Sequence, residues 1–244
     1  MFFLQKFSMS SISGVRYDLL LHRTGDTTTD AATDAYTREL ICRHVSGRLK
    51  VAPEHTSDEV LRLMRKPEFK QFEQFKRLFD DINRKEGLRQ QIIPYFISSH
   101  PGCSEADMAR LALITKRLDF QLEQVQDFTP TPMTISTEMW YTGYDPYTLQ
   151  PVRSAKSPEE KLAQRMFFFW YKPEERRAIE RELRRIGLEH LIPQLLGRST
   201  PPPKSPHRHD NNPNEHTGKP RDRQAKRGDV RGRHRGDRGP RGRD

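Results

Sequence analysis

LKVAPEHTSDEVLRLMRK, residues 49–66, decides how the chain is read. Leu49, Val51 and Ala52 follow Ser46-Gly47 and predict a short apolar strand, and Thr56-x-x-Glu59 ahead of Val60, Leu61 and Met64 predicts a capping box opening a helix. Between them, Pro53-Glu54-His55 forms the turn. Lys50, Glu54 and His55 are thereby placed at the carboxyl end of a strand beside a helix amino terminus, where α/β proteins bind ligands. The same residues also read as ordinary members of a βα turn, and spacing alone does not choose between the two.

Downstream, Pro67 stops the first helix and starts a second over 67–85, with Phe69, Phe72, Phe75, Phe79 and Ile82 on one face and Gly87 closing it. A phenylalanine stripe of this period reads as the face packed on a sheet. QIIPYFI, residues 91–97, is a continuous apolar run of the kind found in a strand covered on both faces, and Pro94 within it calls for a bulge. Ser98-Ser99-His100-Pro101-Gly102-Cys103 is a tight turn, and Ser104 caps a helix over 105–118 with Asp107 at the box position. Free amides at such a helix start suit a carboxylate, a phosphate or an adenine edge, while a Gly- and Ser-rich turn is also simply a good turn. Gln124–Phe128 is the next strand and leads into Thr129-Pro130-Thr131-Pro132. Strand, helix, strand, helix, strand with short connections predicts an α/β fold of parallel βα units.

Upstream, Arg16-Tyr17-Asp18 followed by three leucines reads as a strand end turning into a helix. Gly25–Asp34 reads as a Thr-rich loop, and Asp34 as the cap of a helix ending near His44. Residues 1–12 carry no clean pattern. Towards the other end, Trp140, Tyr141 and Tyr144 form an aromatic patch. Ser157-Pro158-Glu159-Glu160 opens a helix through Tyr171, and Pro173 opens another to Ile186, so that 151–197 forms a small C-terminal helical cap.

The charge is uneven. Of the formal +10, a net of +8 lies from Arg198 onward, where 11 Arg and 3 Lys face 6 Asp and Glu. This Pro-, Arg-, Gly- and His-rich stretch has almost no large apolar residue and is expected to be a disordered basic tail. Weak, nonspecific nucleic-acid binding by the tail is one expectation; a merely solvated extension, its histidines included, is the other. No 18-residue apolar run exists, so no transmembrane helix and no membrane partner is expected. Two cysteines, Cys42 and Cys103, give neither a disulfide framework nor a metal-ligand set and fit a reducing cytoplasm.

Four stretches together carry a resemblance: SGVRYDLLL (13–21), HVSGRLKVAPEHTSDEVLRLMRKP (44–67), YFISSHPGCSEADM (95–108) and QVQDFTPTPMTISTEMWYTGYDP (124–146). In this order they resemble the radical S-adenosylmethionine (radical SAM) proteins of the YgiQ type, UPF0313-like. The resemblance implies that residues 13–150 are the C-terminal half of a partial (β/α) barrel. In that family a [4Fe–4S] cluster, held by three cysteines spaced CxxxCxxC, binds and cleaves SAM to a 5′-deoxyadenosyl radical. Carried over by position, Glu54 would stand near the ribose or amino acid part of SAM. Lys66 would meet its carboxylate, as a point charge in place of a forked Arg. Ser98, His100 and Gly102 would lie under the adenine, with Thr129 and Pro130 as the next strand's contact. Arg16, Asp18, Lys50 and His55 would point to the same mouth. With two distant cysteines the cluster ligands are absent, so the resemblance makes this chain a piece of such an enzyme, inactive alone, with the missing N-terminal half of the barrel as partner. A nucleic-acid-binding protein working through its tail, or a nonfunctional reading frame, are the alternatives.

Overall fold

The computed structural model describes residues 15–197. The irregular start, Ser13-Gly14 and the basic tail, with the disorder and nucleic-acid contact expected of it, lie outside the described residues. Within them the chain runs α1 (Tyr17–Leu21), α2 (Thr27–His44), β1 (Arg48–Glu54), α3 (Asp58–Leu63), α4 (Phe69–Lys85), β2 (Gln91–Ser98), α5 (Glu105–Arg117), β3 (Gln124–Asp127), α6 (Ile135–Thr142), α7 (Pro158–Arg165), α8 (Arg176–Arg185) and α9 (Ile192–Leu196). The three strands pair in parallel in chain order. The fold is therefore mixed α/β around a small parallel sheet.

One face of this sheet is covered. Leu49, Val51 and Pro53 of β1 and Ile92, Pro94, Phe96 and Ser98 of β2 are buried, whereas Lys50, Ala52, Glu54, Ile93, Tyr95 and Ile97, on the other side of the pleat, are not. The apolar run at 91–97 predicted a strand covered on both faces; instead its odd-numbered residues line an open face, because the packed helices lie on one side only. The expected bulge also moves. Val51 pairs with Pro94 and Glu54 with Phe96, so β1 sets two residues against one, and the irregularity falls in β1. Pro94 stays in register, one residue before β2 begins to pair with β3 at Tyr95.

The phenylalanine stripe is core, as its period predicts: Phe69, Phe72, Phe75, Phe79 and Ile82 of α4 are all buried. Tyr17 of α1 stacks on Phe75 and meets Phe72 edge-on, each at 5.9 Å between ring centroids. This contact carries the Arg16-Tyr17-Asp18 stretch onto α4.

Two local expectations change. α2 begins at Thr27, so the Thr-rich stretch is helix, not loop. The Asp26 carboxylate accepts from the Thr29 amide at 2.8 Å, and the Thr33 and Thr37 hydroxyls donate to carbonyls four residues back, which satisfies groups that would otherwise oppose a helix. At α3 the N-cap is Ser57 without a side-chain cap bond, and the Ser57 amide donates to His55 Nδ1 instead. Ser157 caps α7 as read, with Glu160 completing a capping box, but α7 gives way to a 3-10 turn at Met166–Phe169. Phe167, Phe168, Ile179, Leu183, Leu195 and Leu196 join the core cluster that contains Met108 and Leu111 of α5. The C-terminal helices thus extend the helical layer over α5.

Replacing Phe75 by Ala should cost about 3–5 kcal/mol of stability, the usual loss for a fully buried aromatic. Leu19→Ala, at an exposed position, should stay within about 0.5 kcal/mol. Urea unfolding followed by circular dichroism reads both; a Phe75→Ala loss no larger than that of Leu19→Ala would remove the stripe from the core.

Candidate functional site

The carboxyl end of β1 is bent by its bulge into a tight turn. The His55 amide donates to the Pro53 carbonyl at 2.8 Å across Glu54, whose φ is +67°. A three-residue turn with positive φ at a non-glycine centre is strained and rare. It turns the Glu54 side chain, on the open face, towards the end of α3. There Arg65 adopts φ +55° as the left-handed residue of a Schellman closure, with Lys66 N–H donating to Leu61 O at 2.9 Å and Arg65 N–H to Arg62 O at 3.1 Å. The closure delivers Lys66. Its Nζ lies 3.1 Å from Glu54 Oε1.

Glu54 Oε2 is buried and has no hydrogen-bond partner. Around the carboxylate stand two tyrosines. Burial first, then the neighbouring Asp18 and Glu54 charges, push the Tyr17 phenol up to about 12, and burial and Glu54 also raise Tyr95. Both phenols are neutral O–H groups at physiological pH. Arg16 grips Asp18 through a fork at 2.8 and 2.6 Å, and this hydrogen-bonded pair holds the Asp18 carboxyl below its usual range. A cavity of about 220 Å³ opens here, lined by Arg16, Tyr17, Asp18, Ala52, Arg65 and Lys66 among others. Of the residues read from sequence, Lys66, Arg16 and Asp18 meet at this cavity, and Glu54 reaches it through Lys66. Lys50 stays exposed on the open face.

The β2 turn is built differently. Ser98, Ser99 and His100 are almost completely buried. Ser98 Oγ donates to Asp127 Oδ1 at 2.5 Å, and Asp127 Oδ2 takes Arg165 at 3.0 Å. Ser99, with φ +61°, donates its amide to Gln164 Oε1 at 2.8 Å. His100 donates from Nδ1 to Pro101 O and accepts at Nε2 from Ser136 Oγ, each at 2.8 Å. Gly102 has φ +85°, a left-handed backbone that favours glycine, and it lies against the Leu63 side chain of α3. The helix start expected to offer free amides is partly closed: Ser104 and Asp107 satisfy each other reciprocally. Ser98 and His100 therefore brace the turn. Thr129, exposed, and Pro130 follow Phe128, whose ring meets His100 edge-on at 5.2 Å and whose amide donates to Ser98 O.

His55 is not at the mouth. Its ring is fully buried, accepting from Ser57 N–H at Nδ1 and meeting Cys103 Sγ at 3.5 Å through Nε2. The contributions that sequence reasoning missed are Tyr95, Arg65 and the Asp127–Arg165 brace. Strand alternation places Tyr95 beside Ile93 and Ile97 on the open face; Arg65 and Arg165 carry no such signal.

Burial lowers both His55 and His100 to about 4. The unfolded chain binds these protons near pH 6.5 and the folded chain only near 4, so the stability from neutral burial is complete above 6.5 and lost as pH falls through that window. Each histidine should contribute a slope of about 1.4 kcal/mol per pH unit there. His100→Asn should remove about half of it in urea unfolding measured from pH 7 to 4.5. An unchanged slope would show that the ring protonates freely in the folded protein.

A family model described as a domain of unknown function, DUF3362, matches residues 123–240. A UPF0313 protein of Bacteroides thetaiotaomicron is 72% identical over 186 residues, which are 76% of this chain and 30% of that protein. One of Porphyromonas gingivalis is 65% identical over 188 residues, 77% of this chain and 30% of the relative. The likeness reaches archaea: a UPF0313 protein of Methanosarcina acetivorans is 41% identical over 179 residues, 73% of this chain and 23% of its own length. No solved structure matches. The chain thus spans under a third of the length of these relatives, and it belongs to the UPF0313 family.

Proposed function

We propose that this chain contributes the C-terminal part of a radical SAM (β/α) barrel, with the Glu54–Lys66 cavity binding SAM. The observation that carries the reading is the one-sided sheet. Three parallel strands in chain order, helices on one face and an open face bearing Lys50, Glu54, Ile93, Tyr95 and Ile97 are what a segment of a singly wound barrel presents to its lumen. The remaining strands, as partner, would cover that face and pair with the free edge of β1.

The donor set fits SAM. Glu54 Oε2 is a buried acceptor without a donor, and an ammonium group would supply one. Lys66 is the cation placed to meet the carboxylate of the same amino acid moiety, and Tyr17 presents a neutral phenol in a partly water-excluded surround, while the Tyr95 hydroxyl donates to Gln126 Oε1. Ser98, His100 and Gly102 act by holding the β2 turn, and Thr129 and Pro130 stand beside it at the end of β3. SAM, when bound, supplies the adenosyl group for hydrogen abstraction from a substrate. The cluster does not fit this chain: Cys42 lies on α2, Cys103 is buried at the start of α5, and burial raises its thiol above the ordinary range. Among the described residues no three His, Cys, Asp or Glu side chains converge. Its ligands would come from the partner. No helix among the described residues is long and apolar enough to cross a membrane, and a cytoplasmic location goes with the thiol usage.

Co-expression with the portion of the Bacteroides relative that this chain does not span gives a complex in which SAM affinity can be measured by calorimetry. Lys66→Ala should weaken SAM about tenfold or more, the loss of a charge-assisted contact to a carboxylate, while Lys70→Ala, exposed on α4, leaves it unchanged. Equal affinities for the two variants would take Lys66 out of the site.

A further inference from the structure

Among the described residues eight large apolar or aromatic side chains are exposed, and five of them, Met133, Tyr141, Tyr144, Tyr147 and Leu149, fall within residues 133–149. Exposed apolar and aromatic groups concentrated in one short segment are what a binding surface offers a partner. The segment is held in shape from within. Gly143 closes α6 with φ +78°, Tyr144 bridges Pro151, the Asp145 amide donates to Gln150 O, and Leu149 N–H returns to Asp145 O. The Asp145 carboxylate turns inward and accepts from the Tyr147 amide at 2.9 Å. Tyr144 and Tyr147 are therefore presented by a fixed loop, and Tyr141 by the last turn of α6.

Cations interleave with the rings. The Arg65 guanidinium sits 4.0 Å from the Tyr147 ring centroid, and Lys156 Nζ 5.3 Å from that of Trp140. Among the described residues Arg62, Arg65 and Lys156 form no ion pair, and Glu138 is the one exposed carboxylate within 133–149. Between the end of α3 and the loop lies a cavity of about 150 Å³ lined by Arg62, Arg65, Met139, Asp145 and Tyr147 among others. Arg65 also lines the cavity of the Glu54–Lys66 site.

We propose that this face binds single-stranded nucleic acid, with bases stacked on Tyr141, Tyr144 and Tyr147 and phosphates met by Arg62, Arg65 and Lys156. Charge complementarity selects this partner: unpaired cations set around exposed ring faces match a chain that alternates ring and anion, and a duplex would hide the ring faces. The inference does not rest on SAM binding.

The test is fluorescence anisotropy with end-labelled U12 RNA and the full chain at 150 mM salt, where binding by charge alone through the basic tail is much reduced. A triple variant, Tyr141→Ala with Tyr144→Ala and Tyr147→Ala, should lose at least tenfold in affinity. Tyr36→Ala, exposed on α2, should stay within about twofold of the parent. Arg62→Gln with Arg65→Gln should lower the log–log salt slope by about 1–1.5. Circular dichroism confirms that each variant is folded. Failure of the parent chain to bind U12, binding that survives the triple change, or equal preference for a duplex of the same length overturns the proposal; a protein partner captured by the same face in place of RNA does so as well.

Discussion

The turn at Glu54 is the constraint on which the rest of the site depends. A carboxylate at the end of a strand would ordinarily point along the pleat into water. Here a bulge in β1 and a positive φ redirect it, and one oxygen is left buried beside neutral phenols with no donor. Leaving a buried acceptor unsatisfied costs about 1–3 kcal/mol, and holding the backbone in that region costs a similar amount. Native structures retain such costs where a ligand or partner repays them, so strain and orphaned acceptor together single out this corner.

Lys66 answers Glu54 only because α3 is short. The Schellman closure ends the helix after its six residues, and Pro67 prevents it from continuing, so the chain comes back towards β1 at the height of the carboxylate. Gly102, at φ +85°, packs the β2 turn against Leu63 of α3. The β2 turn is in turn braced by Asp127, Gln164 and Ser136, from β3, α7 and α6. Three successive βα connections thus lock one another, and the helical core beneath them, led by the α4 phenylalanines, keeps the assembly rigid.

Much of this was legible from residue patterns. The period of Phe69, Phe72, Phe75, Phe79 and Ile82 identified α4 and its buried face, and the N-caps at Ser104 and Ser157 located two helix starts, because these signals are local. Sequence did not show which strand face would be open: apolar Ile93 and Ile97 look the same whether covered by helices or by the far wall of a barrel. Nor did it separate His55 and His100 from ligand-binding histidines, since the partners that bury them, Cys103 and Ser136, lie 48 and 36 residues away. The Thr-rich start of α2 misled because its propensity is poor and the compensating Asp26 cap and carbonyl contacts depend on the helix already being formed.

The open face is the central claim, because a parallel sheet covered on one side only is incomplete. Hydrogen exchange on this chain, alone and together with the portion of the Bacteroides relative that it does not span, tests it most directly. The account predicts that the β1 amides not bonded to β2, together with the Glu54 turn, gain strong protection on mixing, while α4 and α5 amides change little. Protection confined to the helical layer, with β1 exchanging as before, would contradict it.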